Sequence, residues 1–509
     1  MYMKKWMKVS LAMSLAATLL AACGKGNDGS SAAGSASPAG GASPAPSAEA
    51  KLSPVELTWY YPLSQLQPDQ GTVQEAVNKI TKEKLNATVK LMPVPIGDYV
   101  QKMNTILAAG EKFDILWDGY LLKPEELVRK GAIQPLDDLL TKYAPNLKKD
   151  VPQVMWDGLT VDDKIYGIPN QQINGNRLGF IVQKRFIDKY KLDVSSIKTI
   201  TDIEPFLEQI KKNETDIIPF GSTFSSAVTG LNADKFWVVP GLDDHFYIKK
   251  GDSTYKLYRY PEEDLDNFRL ASKWYKAGYI FKDAATAKMA DYESKGQMAV
   301  IFNNVLKPGV EAEVKAKNGG NDVVVIPVTD WFSNGYSATT NQSISRTSPN
   351  PERAMMLLDL VNSDKSLYNL LSNGVEGVHY DKVSDNVVKA KADSRYKPNM
   401  DWIFGSVFNS YLKEGQPADV WEQTKKVNAT PNVNPVGAFK FNSDPVSTEI
   451  ANLNAVWGEY KKGLTTGTLD FDATWPTLND RLKKAGEEKY VAEVTKQFNE
   501  FLKKKGLVK

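Results

Sequence analysis

Residues 55–117 read VELTWYYPLSQLQPDQGTVQEAVNKITKEKLNATVKLMPVPIGDYVQKMNTILAAGEKFDILW. Val55 to Tyr61 is an unbroken β-rich run closed by Pro62, which predicts a buried strand. Asp69 to Leu85 changes to helical spacing, with Val73, Ala76, Val77 and Ile80 on one face. Thr88 to Val94 is β-rich again and stops at Pro95; Asp98 to Ala109 predicts a second helix, ended by Gly110; Phe113 to Trp117 predicts a third strand. Strand–helix alternation of this kind predicts an α/β fold, a parallel sheet covered by helices on both faces. In such open sheets ligands sit beyond the carboxyl ends of the strands. Tyr61, Trp117, Asp118 and Tyr120 stand at those ends.

Downstream, Leu136 to Leu140 and Tyr143 to Asn146 are loop-rich, and VDDKIYGIPN (161–170) carries a turn at Gly167 and Pro169. A new strand, Leu178 to Gln183, then leads into a helix at Lys184 to Tyr190, as if the chain crosses into a second α/β lobe. GQMAVIFN (296–303) and DVVVIPV (322–328) predict strands, and Pro351 to Val361 a helix. The Lys-rich stretch Leu482 to Lys505 has apolar helical spacing and is expected to pack on the second lobe. No internal repeat is present.

Upstream, Lys4, Lys5 and Lys8 precede an uncharged stretch from Val9 to Ala22, the pattern of a secretory signal over residues 1–22. It ends in Leu20-Ala21-Ala22-Cys23, which resembles the bacterial lipobox. Cys23 is the only cysteine, so it has no internal disulfide partner. An incidental cysteine would explain it less well than lipidation, since position, neighbours and uniqueness agree. Residues 24–50 are mostly Gly, Ala, Ser and Pro, from which no core can be built, so 23–54 is expected to be a lipidated flexible tether. Its Gly24-Lys25-Gly26-Asn27-Asp28-Gly29 has the dinucleotide-binding spelling without the strand and helix that motif needs.

Loss of the three leader lysines takes the formal charge from +2 to −1, a balance that argues against a nucleic-acid partner. No P-loop, GxSxG or HExxH occurs, and the two histidines, His245 and His379, are far apart, so no cofactor and no metal are expected. The chain is instead rich in Trp and Tyr next to Asp, Asn and Glu. That combination suits sugars: a flat ring covers the C–H face, while amides and carboxylates bind the hydroxyls. The candidate ligand-binding residues are Tyr61, Trp117, Asp118, Tyr120, Asn170, Gln171, Asn303, Trp331, Glu376 and Trp402. Each aromatic fits core packing as well, Asn170 and Gln171 fit turn formation beside Pro169, and Glu376 fits a solvated loop.

Several segments, in order, resemble the extracellular solute-binding lipoproteins of ABC importers, in the sugar-binding class that includes maltose-binding protein. They are AAGEKFDI (108–115, with Phe113 where proline is usual), LDDLL (136–140), YGIP (166–169), SKGQMA (294–299) and SPNPERA (348–354). GVEGVHY (374–380) and FNSDPV (441–446) resemble a longer Gram-positive subfamily. The resemblance implies a type II periplasmic-binding-protein-like fold: two α/β lobes with a central cleft, and a helical C-terminal extension. By chain order, 55–172 with 292–334 is expected to form lobe one, and 173–291 with 335–509 lobe two. It further implies a monomer, held by lipid on the outer face of the cell membrane, that binds a carbohydrate by hinge closure and delivers it to ABC permease subunits. Two other readings stay open at this point. One is a lipid-anchored glycosidase, which needs two carboxyl groups roughly 5–9.5 Å apart. The other is a binder of a peptide or an anionic solute, which would bring Arg177 or Arg346 to the cleft.

Overall fold

Leu57, Trp59, Tyr60, Tyr61 and Leu63 are all buried in the computed structural model, because the first strand, Val55–Leu63, is covered on both faces. The structure describes residues 52–221, 234–243, 245–333 and 339–509; the leader 1–22, Cys23 and the tether to residue 51 lie outside the described residues. Val55–Leu63 pairs in parallel with Ala87–Pro95 and with Ile115–Gly119. The intervening helices are Gln70–Leu85, which buries Val73, Val77, Thr81 and Leu85 at a spacing of four, and Ile96–Ala109, which buries Tyr99, Met103 and Ile106. The opening strand–helix order therefore follows the periodicity read from the sequence.

The first sheet runs Ala87–Pro95, Val55–Leu63, Ile115–Gly119, Thr340–Ile344, Ile168–Pro169, with Thr340–Ile344 antiparallel to both of its neighbours. The second runs Val323–Pro327, Gly179–Gln183, Met298–Asn303, Ile218–Phe220. Here Gly179–Gln183 is the reversed strand. Each sheet has its own core. Trp59, Val77, Trp117, Leu357, Leu371 and Phe404 belong to one; Phe180, Phe206, Trp274, Val300, Leu464 and Phe498 belong to the other. The fold is α/β, with two lobes.

Two segments change places relative to the expected lobe boundaries. Residues 292–334 do not complete lobe one: Met298–Asn303 and Val323–Pro327 flank Gly179–Gln183 in lobe two. The stretch after 335 does not open in lobe two: Thr340–Ile344 joins lobe one's sheet, and the helices Pro351–Ser363 and Lys365–Asn373 bury Leu357, Val361, Leu367 and Leu371 in lobe one's core. The chain re-enters lobe two's core from Val436 onward. A run such as MAVIFN specifies a buried strand but not the sheet that accepts it, because that choice is made by pairing far along the chain.

The C-terminal extension is three helices, Ser447–Thr466, Phe471–Lys484 and Glu487–Lys504. The single helix expected from Leu482 to Lys505 is broken at Gly486 (φ 102°), where an added Cβ would lie 2.6 Å from the Glu449 side chain. Phe471, Leu478, Leu482, Tyr490, Val494, Phe498 and Leu502 enter lobe two's core, so the extension packs where expected. Away from the crossing segments the lobes also meet where Lys123 Nζ donates to the Gly241 carbonyl (3.0 Å) and Lys440 Nζ to the Thr160 carbonyl (2.6 Å). No helix among the described residues is long and apolar enough to cross a membrane.

Candidate functional site

The Ile115–Gly119 strand stops where the Thr339 carbonyl comes so close that a Cβ on Gly119 would sit 2.2 Å from its oxygen. Only glycine fits there, and Tyr120 is turned outward, its N–H donating to that same carbonyl at 3.1 Å. Tyr120 is 52 % exposed. Beside it stands Trp402, half-buried, on the single turn Asp401–Ile403. The two ring centroids are 6.4 Å apart and the planes 39° apart. Both rest on Trp117, which is fully buried and meets each edge to face, at 5.6 and 6.0 Å.

The Thr340 hydroxyl fastens this arrangement. It accepts from Trp117 Nε1 and from Asn170 Nδ2, both at 2.9 Å, and donates to the Trp402 carbonyl at 3.4 Å. Its one donor and two acceptor positions are thus all used. Gln342 holds the same turn, donating to the Ile403 carbonyl at 2.6 Å while accepting from Trp59 Nε1 at 2.9 Å.

Tyr120, Thr339 and Trp402 form lobe one's wall of a cavity of about 540 Å³. The crossing segment contributes Gln172, Asn174 and Asn176; lobe two contributes Ile301, Asn303, Lys307 and Glu313. Asn303 Oδ1 accepts from the Val305 N–H (2.7 Å). Lys307 and Glu313 pair at 2.8 Å, and Lys413 lies 3.6 Å from Asp401 at the foot of the Trp402 turn. Burial works against the Asp401 carboxylate, yet Lys413 and Lys307 hold it below the ordinary value; Asp401 in turn raises the Lys413 ammonium.

Tyr120, Asn303 and Trp402, of the ten expected ligand residues, are brought together at this cavity. Others support it from behind. Trp117 has no exposed surface. Asn170 is spent on Thr340, and the Gln171 carbonyl accepts from the Val407 N–H at 2.9 Å. Tyr61 lies in lobe one's core, its hydroxyl accepting from Gln70 at 3.0 Å. Asp118 is wholly buried, accepting from the Ser343 hydroxyl at 2.7 Å, and burial pushes its carboxyl up to about 7. Glu376 is exposed elsewhere, paired with Lys382 at 3.0 Å. Trp331 is half-buried beside a separate cavity. A strand-end position does not tell whether a side chain faces the cleft or the core, and these residues do not line this cavity. Asn174 and Asn176 escaped notice although they continue the amide-rich run from Asn170; Lys307 and Glu313 gave no signal, being ordinary charges flanking the start of the Val310–Lys317 helix. Arg346 is exposed, its N–H donating to the Ala132 carbonyl (2.9 Å), and does not line this cavity.

Residues 64–367 match the family described as bacterial extracellular solute-binding protein. The chain belongs to that family. Residues 435–503 of this solute-binding protein, most of the C-terminal extension, match a domain of unknown function, DUF3502. A carbohydrate ABC transporter substrate-binding protein of Streptococcus pneumoniae is 30 % identical over 84 % of this chain and 87 % of its own length. The crystal structure of an N-glycan transport solute-binding protein from the same organism covers 89 % of this chain and 100 % of its own, at 27 % identity and TM-score 0.77. The structure of that protein with Man5GlcNAc superposes with TM-score 0.72 at 28 % identity. Family and relatives are substrate-binding components of importers rather than enzymes.

Proposed function

We propose that this chain captures a carbohydrate, an oligosaccharide rather than a free ion or peptide, between its lobes and hands it unaltered to a membrane permease. The observation that carries the reading is the Tyr120–Trp402 pair, two accessible ring faces braced by buried Trp117 and set across from the amides of Asn174, Asn176 and Asn303. Sugar C–H faces gain from burial against such rings, and the amides satisfy hydroxyls that lose water when the lobes close. Relatives with carbohydrate-transport names support the same class of solute. The reading includes hinge closure about the crossing segments, action as a monomer, and a diacylglyceryl anchor on Cys23 that keeps the protein near its permease on the outer membrane face. It contains no catalytic step; hydrolysis of a bound oligosaccharide would instead support a surface glycosidase.

Titration calorimetry against neutral oligosaccharides, Man5GlcNAc among them, tests it. One sugar is expected to bind stoichiometrically and emerge intact by mass spectrometry. Trp402→Ala is expected to weaken it by about ten- to a hundredfold, from lost stacking and apolar burial, while the melting curve changes little. Binding untouched in both Trp402→Ala and Tyr120→Ala would remove the site from this cavity.

A further inference from the structure

Consecutive residues of an extended segment face opposite ways, and the crossing segment uses this at Asn176 and Arg177. Asn176 lines the cleft described above; Arg177 lines a second cavity, of about 550 Å³, on lobe two. Its walls include Thr329 from the end of the Val323–Pro327 strand, Phe332, Lys198 and Lys250.

Among the described residues, Arg177 is held by parts other than the tips of its fork. Nε donates to the Thr329 carbonyl at 3.3 Å, and the guanidinium carbon sits 5.6 Å from the centre of the Trp331 ring. Neither terminal nitrogen hydrogen-bonds or ion-pairs with any described residue. Lys250 lies with its ammonium 4.0 Å from the Trp237 ring centre and 5.2 Å from that of Phe332. Burial holds that ammonium below its ordinary value against the opposing pull of Asp234. Three cations, Arg177, Lys198 and Lys250, thus face two rim carboxylates, Asp234 and Asp330. A planar guanidinium anchored through Nε and set over an indole ring is preorganised for a two-point contact with a carboxylate or phosphate. A partly desolvated lysine beside it strengthens the attraction.

We infer that this cavity is a separate subsite for an acidic sugar, in which Arg177 takes the carboxylate or phosphate of that sugar and Lys250 adds positive charge beside it. The inference rests on the glycan reading of the cleft. It gives Trp331 a role distinct from that of Trp402: a backing plate for the guanidinium.

The test uses the full-length chain with ¹⁵N-labelled indoles, Trp331 and Trp402 being assigned by their loss in Trp331→Phe and Trp402→Phe. The probes are D-glucose, D-glucuronate, D-glucose 6-phosphate and inorganic phosphate, so that ring, charge and type of anion vary separately. Glucuronate, glucose 6-phosphate or both are expected to move the Trp331 signal at concentrations about tenfold below glucose, an effect weakened by salt. Whichever of the two acts more strongly names the anion. Arg177→Gln is expected to abolish the preference and Arg177→Lys to keep part of it, with melting curves certifying the fold of each. Silence at Trp331, an equal response to all three sugars, a preference surviving in Arg177→Gln, or inorganic phosphate matching glucose 6-phosphate would each overturn the proposal. Man5GlcNAc read at Trp402 separates the two claims. A response there without charge preference at Trp331 sinks the subsite alone, whereas silence of Trp402 toward every neutral oligosaccharide tried sinks the parent reading.

Discussion

The two walls of the cleft are built on opposite plans. Lobe one offers flat rings on a rigid support: Tyr120 and Trp402 stand on Trp117, with Thr340 and Gln342 tying the Trp402 turn to the sheet. Lobe two and the crossing segment offer amides and paired charges: Asn174, Asn176, Asn303, Lys307 and Glu313. A sugar has an apolar face and a polar rim, and each wall fits one of them. The division teaches that the aromatic wall depends on a buried indole beneath it, whereas the polar wall is held by local pairs such as Lys307–Glu313 and the Asn303 side chain with the Val305 N–H. Substitutions behind the first wall should therefore damage stability and binding together, while those on the second should touch binding more than stability.

The largest effect is expected from Trp117→Ala. Removing a fully buried indole beneath both rings should cost about 3–5 kcal/mol of unfolding free energy in urea titration and abolish the function of the wall above it. A loss of binding with stability intact would mean that Trp117 touches ligand directly.

Asp118 gives the next effect, through pH. Its folded-state value of about 7 lies above the usual 3.8, so the folded protein holds a proton that the unfolded chain releases. That contribution is complete below the unfolded value and fades as pH rises through the folded one. Between about pH 5 and about pH 7 the loss should be about 2 kcal/mol, measured by denaturant unfolding across pH, and Asp118→Asn should flatten that part of the curve. A stability that rises through this window because of Asp118 would reverse the sign and contradict its burial as an acid.

On the polar wall, Asn303→Ala should weaken oligosaccharide binding by about 1 kcal/mol, roughly fivefold, and lower the melting temperature slightly, since the Val305 N–H loses its acceptor as well. Glu376→Ala is the control: exposed and, among the described residues, ion-paired with Lys382 alone, it should alter binding and stability by under about half a kcal/mol. A clear loss of affinity there would mean that the ligand reaches beyond the cleft.

Local pattern made much of this visible beforehand. The run from Val55 to Trp117 could be read because buried parallel strands and amphipathic helices write their periods into consecutive residues. The sheet that receives Met298–Asn303 could not, since its neighbour Gly179–Gln183 lies more than a hundred residues earlier. In the site, Tyr120 and Trp402 could be named from aromatic–acid neighbours at strand ends and turns. The same rule also named Trp117 and Tyr61, whose rings point into the core, because the side on which a ring is buried depends on Thr340, Phe404 and other distant partners. The amides at Asn174 and Asn176 continued a run whose first member, Asn170, is bonded to Thr340 behind the cavity.

The central claim is that these unlike walls close on one guest. Small-angle X-ray scattering of the full-length chain, with and without an oligosaccharide that calorimetry has shown to bind, tests it most directly. The expected result is a smaller radius of gyration at saturation, lost in Trp402→Ala at the same sugar concentration. A bound sugar that leaves the scattering curve unchanged would contradict capture by closure.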